Sequence, residues 1–211
     1  MSKVIAAIAG FGWWGKHMAS RLRGNPHVAV KIVVEPVTER HDDIRALGIT
    51  PARELSEALN DPEIEAVILT TPNTLHEEHV TACARAGKHV FCEKPLGLTA
   101  ASARRSVQAC VDAGVQLGVG HERRFEPAII ALAGMIREGS LGTIMHAEAA
   151  FSHDKLIHVP PGDWRTVKAT APAAAMTAMG IHLTDLYISL FGREKTVQAM
   201  VAKRVLDWET G

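Results

Sequence analysis

The sequence carries no excess of charge of either sign: 23 lysines and arginines balance 23 aspartates and glutamates over 211 residues. With no basic run or stripe either, it lacks the electrostatic footprint of a nucleic-acid binder. No apolar stretch reaches the length that crosses a bilayer. The N-terminus offers Lys3, an apolar run and the small-x-small site Ala7-Ile8-Ala9. That run is too short for a secretory leader and reads as a strand. Cysteine is scarce: Cys83, Cys92 and Cys110 lie scattered in apolar segments without metal-type spacing. Buried, reduced thiols in a cytoplasmic protein are therefore expected. Internal repeats and low-complexity segments are absent too. Hydrophobic residues, at 47%, suffice for a real core and exclude disorder. The length suggests one or two domains.

What is present is concentrated at the start. The apolar run Val4–Ala9 leads into Gly10-Phe11-Gly12-Trp13-Trp14-Gly15, a G-x-G-x-x-G, and a helix-like segment follows. Strand, glycine turn and helix N-terminus together make a cradle for a diphosphate. The first glycine permits the turn, the second lets backbone approach phosphate, and the third lets helix pack on strand. The helix start adds unpaired N–H groups and a positive dipole end. A second apolar run, Val28–Val34, ends in Glu35, about twenty residues after Gly15. An acid there can accept hydrogen bonds from both hydroxyls of an adenosine ribose. Gly10–Lys16 also fits the triphosphate loop G-x-x-x-x-G-K, but His17 stands where that loop needs Ser or Thr for magnesium. Trp13 and Trp14 are expected to pack the helix onto the sheet or to cover a cofactor.

Along the first half, β-type runs alternate with helical patterns. Val4–Ala9, Val28–Val34, Ala66–Thr70, His89–Cys92 and Gln116–Val119 read as strands. Lys16–Arg23, Glu39–Leu47, Glu54–Leu59, Leu75–Ala86 and Ala100–Ala113 read as helices. Continuously apolar strands imply burial on both faces, hence a doubly wound α/β parallel sheet. Residues 1–121 form this Rossmann domain. The character then changes, and residues 122–211 read as an incomplete α+β unit with an open sheet. There Pro127 opens a helix, Thr143–Ser152 alternates like a half-exposed strand, and His153 to Ala173 is irregular. Ala174–Leu190 reads as a helix and Thr196–Trp208 as one or two strands. A sheet so small exposes a face and an edge, so this part is expected to be truncated relative to a complete enzyme.

Three polar motifs follow strands: Thr70-Thr71-Pro72-Asn73-Thr74-Leu75-His76, Glu93-Lys94-Pro95 and His121-Glu122-Arg123-Arg124-Phe125. In a doubly wound sheet ligands bind outside the carboxyl ends of the strands, where all three motifs fall. His76-Glu77-Glu78-His79 has its histidines three apart and no evident third ligand, so no metal site is expected. With Trp164-Arg165 and Gly180-Ile181-His182-x-x-Asp185, the set resembles the Gfo/Idh/MocA oxidoreductases over essentially the whole chain.

That resemblance implies a nicotinamide-dependent dehydrogenase, using NAD or else NADP, that acts on a sugar, inositol or related polyol. It also implies homo-oligomers built through the second-domain sheet. Lys94 is expected near the nicotinamide and the reacting hydroxyl, where its ammonium can stabilise developing alkoxide charge. An imidazole suits proton exchange near neutral pH, so His182 is expected to exchange the hydroxyl proton, with Asp185 sharing its helix face. The expected cofactor-binding residues are Gly10, Phe11, Gly12, Trp13, Trp14, Gly15, Glu35, Thr71, Pro72, Asn73, His76, Glu93, Lys94, Arg124, Trp164 and Arg165. NAD is favoured because Glu35 would repel a 2′-phosphate, although Arg40 could compensate.

The chain also departs from the family pattern. Many members place Asp four residues before the histidine, where this chain has Ala178, and a Gly-Gly pair where it has Ala173-Ala174-Ala175. The asparagine of G-x-N-x-R-F is Glu122 here. These departures leave two rival readings: a non-catalytic dinucleotide-binding sensor or regulatory fragment, and a family enzyme that cleaves glycosides through transient oxidation.

Overall fold

A computed structural model describes residues 2–152, 154, 157–172 and 176–202. The chain divides into two compact units, Met1–Gly120 and His121–Gly211.

The first unit is built on six parallel strands: β1 (Val4–Ala9), β2 (Val28–Val34), β3 (Thr50–Ala52), β4 (Ala66–Leu69), β5 (His89–Cys92) and β6 (Leu117–Val119). Their spatial order is β3-β2-β1-β4-β5-β6. The chain therefore works outward from β1 in one direction, then returns to β4 and works outward in the other. That reversal leaves a switch point between β1 and β4, where ligands of doubly wound sheets bind. The connecting helices are α1 (Trp13–Leu22), α2 (His41–Ala46), α3 (Leu55–Leu59), α4 (His76–Arg85) and α5 (Ala100–Asp112).

The strands lack polar alternation because both of their faces are covered. Ala7, Ala9, Val67, Leu69, Val90 and Cys92 join one buried cluster, while Ile8, Val33 and Ile68 join the other with Phe11 and Ile44. Cys83, Cys92 and Cys110 are all buried and form no disulfide, as expected. Loss of hydration on burial pushes the Cys83 thiol up to about 12, which leaves it protonated and unreactive.

Element boundaries differ from expectation at a few places. β3 was not foreseen: it is three residues long, contains Pro51 and lies at the sheet edge, where a missing N–H costs no ladder bond. The helix expected over Glu39–Leu47 divides into a 3-10 turn, Thr38–Arg40, and the short α2. α1 begins at Trp13 rather than Lys16, so both tryptophans lie in its first turn. Trp13 does not pack the helix onto the sheet, being 80% exposed. Its ring instead lies beside those of Trp14 and His17, at centroid distances of 5.4 and 6.2 Å.

The second unit contains a 3-10 turn Glu122–Phe125, α6 (Pro127–Arg137), a 3-10 turn Trp164–Thr166 and α7 (Ile181–Phe191), which a π-helical turn, Met176–Gly180, precedes. The strand expected over Thr143–Ser152 does not form: residues 143–152 are exposed and carry no regular structure. An isolated alternating segment has no ladder partner, and none of the described residues of this unit forms a strand. Residues 196–202 of the expected strand Thr196–Trp208 are likewise irregular, and the remainder lies outside the described residues, as do Ala173, Ala174 and Ala175.

Candidate active site

The glycine turn behaves as its sequence demands. Gly10 adopts φ +94°, a left-handed conformation, and a Cβ there would lie 2.9 Å from the carbonyl oxygen of Thr70. A Cβ at Gly15 would stand only 2.0 Å from the oxygen of Gly10. Gly12 is different, because no heavy atom comes within 4 Å of its Cβ position. Gly12 is also the N-cap of α1, which has no side-chain cap and no acid in its first turn. Gly10 and Gly15 are thus glycines for the protein's own packing. Gly12 keeps open an approach to the unpaired N–H groups of a ten-residue helix. The residues present therefore fit a diphosphate, on geometry as well as on pattern. Thr70 completes the turn: its hydroxyl lies 3.0 Å from the oxygen of Ala9 and 2.9 Å from that of Gly10. Sequence reasoning missed it; the signal was a hydroxyl residue ending the strand beside β1.

Glu35 closes β2 and is 4% exposed. Phe11 N–H donates to its Oε2 at 3.0 Å and Val37 N–H to its Oε1 at 3.0 Å. The Arg40 guanidinium adds a contact to Oε2 at 3.1 Å. The carboxylate is thereby fixed against the glycine turn before any ligand arrives. Arg40 stands half-exposed beside it, so acid and cation share one end of the turn.

At the ends of β4 and β5 two loops are tied together by one imidazole. His76 is 1% exposed; its Nδ1 lies 2.7 Å from the oxygen of Pro95 and its Nε2 2.9 Å from that of Thr71. Burial holds this ring below the usual histidine range, although the two carbonyls oppose that shift. His76 therefore braces the Thr71 turn against the Lys94-Pro95 loop rather than facing an open cleft. Thr71 also contacts His79 Nδ1 at 3.2 Å, and Asn73 is buried at the start of the turn that leads into α4. Pro72 between them is exposed. The Lys94–Pro95 peptide is cis, and Lys94 is half-buried. Glu93 accepts a 2.6 Å hydrogen bond from the Trp14 indole and a 3.3 Å one from the Lys94 N–H. Gly120 packs against this carboxylate so closely that a Cβ would lie 2.6 Å from Oε1. Gly120 is a second residue that sequence reasoning missed, marked only as a glycine at a strand end. The structure thus gathers Gly10–Gly15, Glu35, Thr71–Asn73, His76, Glu93 and Lys94 at the carboxyl edge of one sheet.

The second unit gathers a separate polar group. Arg124 grips Asp185 with two hydrogen bonds, Nε to Oδ2 at 2.6 Å and Nη2 to Oδ1. Those bonds raise Arg124 further above its ordinary range. His121 Nε2 stands 3.8 Å from the same carboxylate. His182, 4% exposed, faces a different acid: its Nδ1 lies 3.8 Å from Glu122 Oε2. Asp185 is therefore engaged with Arg124, and Glu122 is the acid at ion-pair distance from His182 Nδ1. Phe125 is 73% exposed. Trp164 and Arg165 form a turn capped by Asp163, whose Oδ1 accepts from the Arg165 N–H at 2.9 Å. The Arg165 guanidinium lies over the Trp164 ring at 4.2 Å and beside Asp163 at 3.3 Å, so its fork folds onto its own neighbours.

Strand order, glycine turn and the acid at the end of β2 define the first unit as a dinucleotide-binding α/β domain. The family model described as an oxidoreductase family with an NAD-binding Rossmann fold matches residues 4–121, and the GFO/IDH/MocA C-terminal domain model matches residues 129–210. The chain belongs to the GFO/IDH/MocA oxidoreductase family. It is 38% identical over 157 residues to scyllo-inositol 2-dehydrogenase (NADP(+)) IolW of Bacillus subtilis, a match covering 74% of this chain and 43% of that protein. A levoglucosan dehydrogenase solved with NADH and levoglucosan superposes with a TM-score of 0.77 at 26% identity, covering 90% of this chain and 55% of its own. GenD2 from gentamicin A biosynthesis, solved with NAD, gives 0.78 at 26% identity, covering 91% and 54%. This chain spans about half the length of these relatives or less.

Proposed function

We propose that this chain serves a nicotinamide-dependent dehydrogenase that transfers hydride between NAD(H) and a hydroxyl-bearing carbon of a sugar, inositol or related polyol. The observation that carries this reading is the placing of Lys94 and the glycine turn at one sheet edge, linked through Glu93 and Trp14. Relatives that act on scyllo-inositol and levoglucosan support the substrate class.

Gly10, Gly12 and Gly15 shape the diphosphate seat, and Glu35 receives the adenosine ribose. Thr71, Pro72 and Asn73 flank the nicotinamide side. Bound nicotinamide supplies the hydride acceptor. Lys94 holds the reacting oxygen, and its ammonium stabilises the alkoxide charge that develops as the proton leaves. His182 takes up that proton in oxidation and returns it in reduction. Arg124, with Asp185, keeps the polar group around His182 in place. NADH is preferred over NADPH because the buried Glu35 repels a 2′-phosphate. Self-association of the second unit completes the functional assembly.

The test is NADH formation over a panel of inositols and sugars, with Lys94→Ala and His182→Ala as controls. Turnover that both substitutions abolish supports the assignment. Wild-type turnover that neither change alters refutes the roles. Tight NADH binding without turnover on any polyol selects a non-catalytic dinucleotide-binding protein instead.

A further inference from the structure

Two acids lie near the buried His182, and they are not equivalent. Asp185, one turn along α7, has both oxygens engaged by Arg124, with His121 Nε2 at 3.8 Å from Oδ1. Glu122 opens the turn Glu122–Phe125, and its Oε2 lies 3.8 Å from His182 Nδ1. Its other oxygen stands 3.7 Å from Arg123 Nε. The His121 ring meets the His182 ring edge-on at 6.4 Å. Among the described residues, Glu122, Asp185, His121 and the two arginines are titratable or charged groups whose contacts link them to this cluster around His182. Of the two acids, only Glu122 stands within ion-pair distance of its Nδ1 in the structure.

The sequence gives this pair a further meaning. Position 178, four residues before His182, holds alanine, whereas position 122 holds an acid. The acid within ion-pair distance of His182 Nδ1 stands in the turn after β6.

Resting on the dehydrogenase reading above, we propose that Glu122 is the positioning residue for His182. Its carboxylate holds Nδ1 as an N–H donor, which leaves Nε2 as the nitrogen that exchanges the substrate proton. In oxidation the substrate O–H bond breaks and an Nε2–H bond forms, while hydride leaves the same carbon for the coenzyme. The imidazolium so produced is stabilised by the anion at Nδ1, and reduction runs the same steps backwards. The observed separation is that of an ion pair and longer than a hydrogen bond. Glu122 is half-exposed, so rotation of its side chain can close the gap when substrate is bound.

The experiment follows the His182 ring by NMR across pH in the full chain, its signal assigned by its loss in His182→Ala. In Glu122→Gln the His182 titration is expected to move down by about half a pH unit to one unit, as loss of a part-exposed charge at this distance implies. Glu122→Asp should restore most of that shift, and both variants should bind NADH as the wild type does. In turnover, Glu122→Gln should lower kcat about tenfold with KM changed less than about twofold, and move the acidic limb of the pH profile down. An unmoved His182 titration in Glu122→Gln, or an unmoved kcat in an active wild type, overturns the proposal. A wild type without polyol turnover defeats the dehydrogenase reading alone, because the titration still decides whether Glu122 governs His182.

Discussion

Two glycine-to-alanine substitutions three residues apart separate what the turn does for the protein from what it does for a ligand. At Gly15 the new Cβ would stand 2.0 Å from the oxygen of Gly10 and 2.7 Å from Thr70 Oγ1. The first of these is backbone and cannot swing away. Overpacking of that kind costs up to about 3 kcal/mol, and alanine's better helix propensity returns about 1, for a net loss of about 2 kcal/mol. At Gly12 nothing lies within 4 Å of the Cβ position. Alanine there is a poorer N-cap by a few tenths to about 1 kcal/mol, while a less flexible unfolded chain returns about 0.4–1 kcal/mol. Those effects nearly cancel. Urea unfolding should therefore show a lowered midpoint for Gly15→Ala and one close to wild type for Gly12→Ala. NADH titration should show the converse contrast. Gly12→Ala places a methyl group where the diphosphate approaches the helix N–H groups, so affinity should fall at least about tenfold, or about 1.4 kcal/mol. If Gly12→Ala binds NADH as tightly as wild type, the open face above Gly12 is not the diphosphate seat.

Three further outcomes follow from other sites. Lys88 is buried and its ammonium donates to the carbonyls of Asp61 and Ile64 at 2.9 and 2.8 Å. Lys88→Met removes the donor from the Ile64 carbonyl and leaves the Asp61 carbonyl with only the Ile64 N–H at 3.2 Å, and the unfolding free energy from urea titration should drop by about 2 kcal/mol. At the end of β2, Arg40→Ala should weaken NADPH binding while leaving NADH affinity within about threefold, because only the 2′-phosphate needs the cation beside Glu35; equal losses for both coenzymes would contradict that division. His76 titrates below the usual histidine value because it is buried, so the unfolded chain takes up a proton first as pH falls. Stability should be full above about pH 6.5 and decline below it towards the lower folded-state value, and His76→Gln should flatten that decline in pH-dependent melting curves.

Where side chains were continuously apolar, as in Val4–Ala9 and Val28–Val34, the strands could be read directly, since burial on both faces admits no other pattern. Gly10 and Gly15 were legible for the same reason: their steric needs are local, so the motif states them. β3 was not legible, because three residues with a proline carry almost no periodic signal and form only beside β2. The second unit was harder still. Alternation over 143–152 shows which face could be buried but not whether any partner strand stands beside it. The site shows the same division. Lys94 and His182 could be singled out from their motifs. That Asp185 pairs with Arg124 and that Glu122 faces His182 depends on contacts between residues about sixty apart, which no local spacing encodes. His76 was legible as a residue of interest but not as a brace between two loops, since its partners are backbone carbonyls that leave no trace in composition.

On the proposed function, the amino-terminal glycine turn of this chain holds a dinucleotide by its diphosphate. Isothermal titration calorimetry of the full chain with NADH measures this without requiring a substrate. One saturable site per chain, weakened at least about tenfold in Gly12→Ala, is the predicted result. No heat with NADH, NAD, NADPH or NADP would mean that the turn seats no dinucleotide.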